Sequence, residues 1–379
     1  MQPLRHHGGS RNEARGGKGP RWKRLLLYIP LAVLLLKHFL YPLYYTEVVL
    51  SAATGHSASS IAATEGARPK TPSDPSNVHK SSLLSLTEIT GETNACPVGF
   101  DLIDNVVDDS ALQNALPQRI PRIVHQTAKS RCLTLDITET TGKWRFPGWS
   151  YYFHDDDAIQ RLFEQEFAEF PYLEDVVRKC LVHGTLKADL WRYVVLWVHG
   201  GIYVDLDAIP VMFSPETIES ATDALFVVEQ YHLLSQYFMA VAPRHPLMYY
   251  AIHDSLTHLL LAPDTGRISA AMVTGPHALH RAFQQFRRDA GGHVDPASRG
   301  YKPVQAGHFV GSYNRSVTAI GVAENQNEFV NRDVLGGTKK KKAYTAMHMR
   351  HFLEDKVHAT GQSCLSAMLP LHYNEQEEG

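Results

Sequence analysis

Apolar positions along this chain fall into three regimes. From Leu25 to Tyr45 they are nearly continuous, broken by Lys37 and His38. A helix needs about that length to cross a hydrocarbon core of about 30 Å. From Thr46 to about Asn94 no apolar period is sustained. There Ser57-Ala58-Ser59-Ser60 and Pro69-Lys70-Thr71-Pro72-Ser73-Asp74-Pro75 read as a flexible stem. From Ile120 onward short apolar runs alternate with helical periods. Ile120–His125 predicts a strand ending in polar residues. Ile159, Leu162, Phe163 and Phe167 share one helical face after a cap at Asp157, and Pro171 stops that helix. Ala188, Trp191, Val195 and Val198 place a second helix over about Leu186–His199, ended by Gly200-Gly201. Ile202–Val204 and Ala224–Glu229 predict buried strands, and helical periods return at Leu247–Leu261 and after Pro276. This alternation predicts an α/β fold with a mostly parallel central sheet covered on both sides, in which ligands sit beyond the carboxyl ends of the strands.

Composition narrows the class. The 379 residues are 44% hydrophobic, 20% charged and 10% aromatic, which excludes wholesale disorder and a disulfide-knot class. Lys plus Arg number 37 against 39 Asp plus Glu, so the basic excess of a nucleic-acid binder is absent and no nucleic-acid partner is expected. The charge is uneven, however. Arg5, Arg11, Arg15, Lys18, Arg21, Lys23 and Arg24 crowd the amino terminus against Glu13. The positive-inside rule keeps that tail cytosolic and sends the rest into the lumen, a single-pass type II arrangement. A cleaved signal peptide cut at Ser51-Ala52-Ala53 is the alternative, but that site lies far from the apolar run. The expected organisation is a basic tail over residues 1–24, a membrane anchor over 25–45, a stem over 46–95 and a lumenal domain over 96–379. Cys96, Cys132, Cys180 and Cys364 form no CxxC pair, which argues against a zinc ribbon and allows one or two disulfides. Asn314-Arg315-Ser316 is a glycosylation acceptor triplet suited to a lumenal loop.

Candidate chemistry concentrates in one stretch. A bare D-x-D arises by chance in a chain of this size, and Asp155-Asp156-Asp157 is such a match, read as a polar turn and helix cap. Asp205-Leu206-Asp207 differs in context: it leaves a buried strand that begins after two glycines. Alternation turns both carboxylates to one side with Leu206 toward the core, and hard carboxylate oxygens suit Mn²⁺ or Mg²⁺ shared with a diphosphate. The glycines keep bulk away where a ligand approaches. Asp189 and Arg192 are three apart on one helix face, placed to hold sugar hydroxyls and a phosphate, with a surface ion pair as the alternative. Lys339-Lys340-Lys341-Lys342 reads as a solvated charge run, and most of the 21 histidines have no partner spacing.

Ile120-Pro121-Arg122-Ile123-Val124-His125-Gln126-Thr127, Ala188-Asp189-x-x-Arg192-Tyr193 and Gly200-Gly201-Ile202-Tyr203-x-Asp205-x-Asp207 together resemble glycosyltransferase family 32. A further match, Trp149-x-Tyr151-x-x-x-Asp155, lies between the first two blocks. That family holds Golgi α-1,6-mannosyltransferases and mannosyltransferases of inositol phosphoceramide. The resemblance implies a GT-A type nucleotide-sugar transferase fold, Mn²⁺ dependence and retention of anomeric configuration. It makes Asp207 a metal ligand and sets Asp205 between the ribose and the metal. It gives the donor sugar to Asp189 and Arg192, and the nucleotide to His125, Gln126 and Thr127. The chain departs from the family's carboxyl-terminal His and Ser-Trp pattern: His348 supplies the histidine, a candidate metal ligand, but no Trp follows Trp197.

The expected function is therefore a retaining, metal-dependent transferase in the Golgi membrane. It moves a sugar, mannose from GDP-mannose first, to a glycan by same-face attack without a protein nucleophile. A glycolipid acceptor such as inositol phosphoceramide is the alternative, and a catalytically silent carbohydrate-binding module is the rival from another class.

Overall fold

The computed structural model describes residues 83–91, 95–108, 118–181, 184–229, 231–289, 303–321, 326–331 and 362–368, all within the compact unit Asp74–Gly379. The anchor segment, most of the stem, the Lys339–Lys342 run and His348 lie outside the described residues. Among the described residues no helix is long and apolar enough to cross a membrane.

The end of the expected stem is folded. Helix α1 (Leu86–Thr90) starts at a capping box in which the Ser85 hydroxyl accepts from the Glu88 amide and the Glu88 carboxylate accepts from the Ser85 amide. Leu86 and Ile89 are buried, and Arg161 donates to the Ile89 and Thr90 carbonyls. A Ser-x-x-Glu signature inside a polar stretch thus docks the chain onto the domain earlier than residue 96.

Strand β1 (Asp101–Leu102) precedes β2 (Ile123–Thr127) and pairs antiparallel with β3 (Cys132–Leu133), next to the Cys96–Cys132 disulfide. Helix α2 (Leu135–Gly142) leads to β4 (Ser150–His154), α3 (Asp156–Phe163), α4 (Leu173–Cys180) and α5 (Gly184–His199). Next come β5 (Gly201–Val204), β6 (Ile209–Pro210), β7 (Ala224–Val228) and β8 (Leu234–Val241). Helices α6 (Pro246–Leu260), α7 (Ala270–Val273) and α8 (Pro276–Arg288) follow. Strands β9 (Gly307–Val310) and β10 (Ser316–Ile320) precede α9 (Gln326–Phe329), β11 (Val330–Asn331) and α10 (Cys364–Met368). A second disulfide, Cys180–Cys364, ties α10 to the end of α4.

The main sheet has the order β4-β2-β5-β8-β7-β10-β9. Its β2–β4, β2–β5 and β7–β10 pairings are parallel, while β8 is antiparallel to both neighbours and β9 to β10. The sheet is therefore mixed, with β4, β2, β5, β7 and β10 sharing one direction. Strands β4, β2, β5, β8 and β7 are buried on both faces, whereas β9 at the far edge is mostly exposed. Val124, Tyr151, Phe153, Ile202, Val204, Phe238 and Ala240 join one apolar cluster with Trp144 and Phe213, whereas the alternate residues His154 and Tyr203 pack against Trp191 of α5. That is the signature of a sheet sandwiched between layers.

Two sequence expectations shift in detail. The cap of α3 is Asp155, whose carboxylate accepts from the Ala158 amide, rather than Asp157, so the helix starts two residues earlier. Gly200 and Gly201 do terminate α5, with φ of +64° and +97°. Their missing side chains serve the fold rather than a ligand. A Cβ on Gly200 would meet Pro243 N at 2.7 Å and Pro121 Cδ at 2.9 Å, and one on Gly201 would meet the Ile123 carbonyl at 2.6 Å.

Candidate active site

The site is built where β5 ends. After Val204 the chain turns, with the Ala208 amide donating to the Asp205 carbonyl at 3.1 Å. Asp205 and Asp207 thus lie in a turn beyond the strand, both half-buried, while Leu206 and Ala208 enter the core. The turn is held on three sides. Trp144 Nε1 donates to the Ala208 carbonyl at 2.8 Å, the Asp205 amide donates to Tyr237 of β8 at 2.9 Å, and Gln126 of β2 donates to the Asp205 carbonyl at 3.4 Å. Its backbone is therefore set by three strands and a core tryptophan.

Above it, α5 presents Asp189 and Arg192. The Arg192 guanidinium meets Asp189 Oδ1 at 3.1 Å and Asp205 Oδ1 at 3.3 Å. It donates to the Gln236 carbonyl at 3.2 Å and lies 4.6 Å from the Tyr203 ring centroid. Three of the expected site residues, Asp189, Arg192 and Asp205, therefore form one ion-pair array, with Asp207 in the same turn. Burial opposes the arginine's charge, but Tyr203, Asp205 and Asp189 together raise its pKa above the usual arginine range, so it remains a cation. Burial likewise pushes the Tyr203 hydroxyl well above its ordinary value, and it stays protonated to donate to Asp205 Oδ1 at 2.7 Å. The Tyr203 hydroxyl and the Arg192 guanidinium both meet the Asp205 carboxylate at Oδ1.

The His125-Gln126-Thr127 triplet acts from behind the turn. His125 and Gln126 are fully enclosed. His125 Nε2 bonds the Gly200 carbonyl at 2.9 Å, and its Nδ1 lies 3.2 Å from His154 Nε2. Burial, then the neighbouring His199, holds its pKa down to about 3, against the bond to Gly200, which raises it, so the ring is neutral. A neutral His125 that donates through Nε2 must accept at Nδ1, which makes His154 the donor through Nε2 and leaves its Nδ1 without a hydrogen-bond partner. Gln126 accepts from the Tyr151 hydroxyl at 2.8 Å while holding Asp205. Thr127 is half-buried and donates to the His154 carbonyl at 2.7 Å. Direct contact of the His125 and Gln126 side chains with a nucleotide does not fit this enclosure. They brace the β2–β5 edge instead.

Sequence reasoning missed Tyr203 as a carboxylate donor, and missed Gln236 and Thr274 altogether. Tyr203 was findable, two residues before Asp205 in a strand. The other two come from β8 and from the corner after α7, and only tertiary structure brings them to α5.

Two carboxylates in one turn are a chemically suitable pair of hard donors for Mn²⁺ or Mg²⁺. Among the described residues no group of three His, Cys, Asp or Glu side chains is placed to hold a metal. The fit is thus to a cation that takes one or two protein carboxylates and draws the rest of its shell from substrate phosphate and water.

Residues 138–223, which contain Asp189, Arg192, Asp205 and Asp207, match the family described as glycosyltransferase sugar-binding region containing DXD motif. The chain is 26% identical over 157 residues to inositol phosphoceramide mannosyltransferase 1 of Schizosaccharomyces pombe, covering 40% of this chain and 47% of that protein. It is 29% identical over 212 residues to mannosyl phosphorylinositol ceramide synthase CSH1 of Saccharomyces cerevisiae, covering 53% and 50%. The chain thus spans about half the length of these curated relatives. A solved structure, PaToxG glycosyltransferase, aligns at 16% identity with a TM-score of 0.34, covering 46% of this chain and 72% of that one.

Proposed function

We propose that the protein is a retaining hexosyltransferase that moves mannose from a nucleoside-diphosphate donor, GDP-mannose first, to a hydroxyl of a phosphoinositol-containing glycolipid in the Golgi. The observation that carries this reading is the Asp189–Arg192–Asp205 array at the carboxyl edge of a buried sheet, inside the stretch that matches the DXD sugar-binding family. The lipid acceptor draws its support from the relatives' names, which specify inositol phosphoceramide. A glycan acceptor, favoured by the sequence's single amino-terminal apolar run, is the second reading.

In this reading Asp205 and Asp207 would hold Mn²⁺ or Mg²⁺, which would supply positive charge to the departing nucleoside diphosphate. Arg192 and Asp189 orient the donor sugar from α5. Because Arg192 also contacts Asp205, sugar and diphosphate are positioned by one rigid unit. The acceptor hydroxyl attacks the anomeric carbon on the face the diphosphate leaves, its C–O bond forming as the glycosyl–phosphate bond breaks. Its proton passes to a leaving phosphate oxygen, and the anomeric configuration is retained. His348 enters this reading as a further metal ligand, and residues 25–45 as the anchor of a single-pass type II protein with its catalytic domain in the lumen.

The test uses the full-length protein in detergent, a panel of nucleotide sugars, and two acceptors, inositol phosphoceramide and an oligomannose glycan. Transfer from GDP-mannose to the lipid that is abolished by EDTA, restored by Mn²⁺ and reduced at least about a hundredfold in Asp207→Asn is expected. Transfer to the glycan alone selects the second reading. Full activity in Asp207→Asn, or a covalent sugar trapped on Glu229, overturns the mechanism. Absence of turnover with every donor favours the silent carbohydrate-binding module.

A further inference from the structure

We infer that Thr274 and Gln236 are positioning residues for the Asp189–Arg192 pair and set the protein's affinity for the sugar of its donor rather than for the diphosphate. The inference rests on the donor-site reading above.

Asp189 is nearly enclosed, and each of its two oxygens has its own partner. Oδ1 meets Arg192 at 3.1 Å, and Oδ2 accepts from the Thr274 hydroxyl at 3.2 Å. Thr274 is 85 residues away in sequence and fully buried. It ends α7, a four-residue helix none of whose residues is buried, and such a segment has little packing of its own to hold it in place. What holds it is a set of buried hydrogen bonds. Gln236 of β8 donates through Nε2 to the Thr274 carbonyl at 3.0 Å and to the Tyr193 hydroxyl at 2.8 Å. The Tyr193 hydroxyl donates to the Gly275 carbonyl at 3.2 Å. Burial pushes that hydroxyl well above the ordinary tyrosine range, so its proton stays in place.

The corner is folded tightly onto the end of α7. A Cβ on Gly275 would meet Ala271 Cα at 2.6 Å and the Ala270 carbonyl at 2.9 Å, and the Gly275 amide already donates to that carbonyl at 2.7 Å. The main chain of Gln236 reaches the other member of the pair, its carbonyl accepting from Arg192 at 3.2 Å. Helix α5, strand β8 and the corner after α7 are therefore clamped together around two side chains. A carboxylate fixed at both oxygens presents its lone pairs to a sugar hydroxyl in one orientation. Held at one oxygen, it rotates, and part of that pre-organisation is lost.

The Thr274 hydroxyl bonds Asp189 itself, whereas the Asp205–Asp207 turn is held by Gln126 of β2, Tyr237 of β8 and Trp144 and meets the side chains of the network only through Arg192. That separation supplies a readout a merely structural role would not move. Binding of GDP-mannose and of GDP to the full-length protein is measured calorimetrically in Mn²⁺ for the parent, Thr274→Val, Thr274→Ser and Gln236→Leu. The Val variant keeps the shape and loses the hydroxyl. It is expected to weaken GDP-mannose about tenfold, as for a lost hydrogen bond to a charged group, and to leave GDP within about twofold. Thr274→Ser restores GDP-mannose binding, and Gln236→Leu reproduces the selective loss. Equal weakening of both ligands, no weakening of either, or failure of Ser to rescue overturns the inference while the donor-site reading stands. A parent protein that binds neither ligand overturns the donor-site reading and takes the inference with it.

Discussion

Replacing Arg192 with methionine isolates the energetics of the site. The variant keeps an apolar stem of similar length and deletes the charge. In the parent the guanidinium side chain is 10% exposed and its partners Asp189 and Asp205 are 8% and 21% exposed. Two carboxylates that now share one cation would be left facing each other, and the Gln236 carbonyl would lose its donor. Removing one partner of a buried pair costs about 3–5 kcal/mol, because the remaining charge is neither solvated nor matched. Asp205 recovers part of this, since it is the more exposed acid and keeps the Tyr203 hydroxyl at 2.7 Å. The expected loss is therefore near the lower end, about 3 kcal/mol. Urea unfolding followed by tryptophan fluorescence would show it as a lower midpoint at unchanged slope. Adding Asp189→Asn removes one stranded charge and should return about 1–2 kcal/mol, a coupling measurable as a double-mutant cycle. A single variant within about 1 kcal/mol of the parent, or a double variant less stable than the single, would show that the array is hydrated and does not organise the site.

Gly201→Ala should destabilise by about 2–4 kcal/mol, since it puts a side chain at φ +97° and 2.6 Å from the Ile123 carbonyl; an unchanged melting transition would contradict the packing described at the start of β5. Cys180→Ala with Cys364→Ala opens a crosslink spanning 184 residues and should cost about 2–5 kcal/mol, read as a lower denaturation midpoint, whereas an equal midpoint would mean that α10 contributes nothing to the native state. Acid should destabilise the fold before it titrates the carboxylates. Burial holds His125 and His245 down to about 3, below the ordinary value of 6.5. Between those values the unfolded chain binds more protons, so stability is full above about pH 6.5 and falls as pH drops toward 3. At pH 5 each ring costs about 2 kcal/mol. Melting curves from pH 7.5 to 5 measure this, and a flat profile would rule out enclosed neutral rings.

Why some of this was readable in the sequence and some was not follows from how each element is stabilised. Helix α5 and strand β5 carry local signals: an apolar face at helical spacing, two glycines at positive φ and a short buried run. The spacing of Asp189 and Arg192 on that helix was enough to pair them, and the place of Asp205 just beyond the strand was enough to bring it near. Strand β8 carries no such signal. Its eight residues, Leu234–Val241, are all buried, so the polar–apolar alternation that marks a half-exposed strand is missing and no strand is predicted there. The polar residues that were missed follow the same logic. A buried glutamine or threonine is recognisable only through its partner, and those partners lie 38 to 85 residues away. His125 was misread for the complementary reason, since a histidine at a strand's end resembles a ligand until its ring is seen bonded to the Gly200 carbonyl. The charged members of the site are thus encoded by local spacing, while the neutral residues that orient them are encoded by the sheet order. A chain with the same three motifs but a different strand beside β5 would keep the acids and the arginine and lose the geometry that makes them a site.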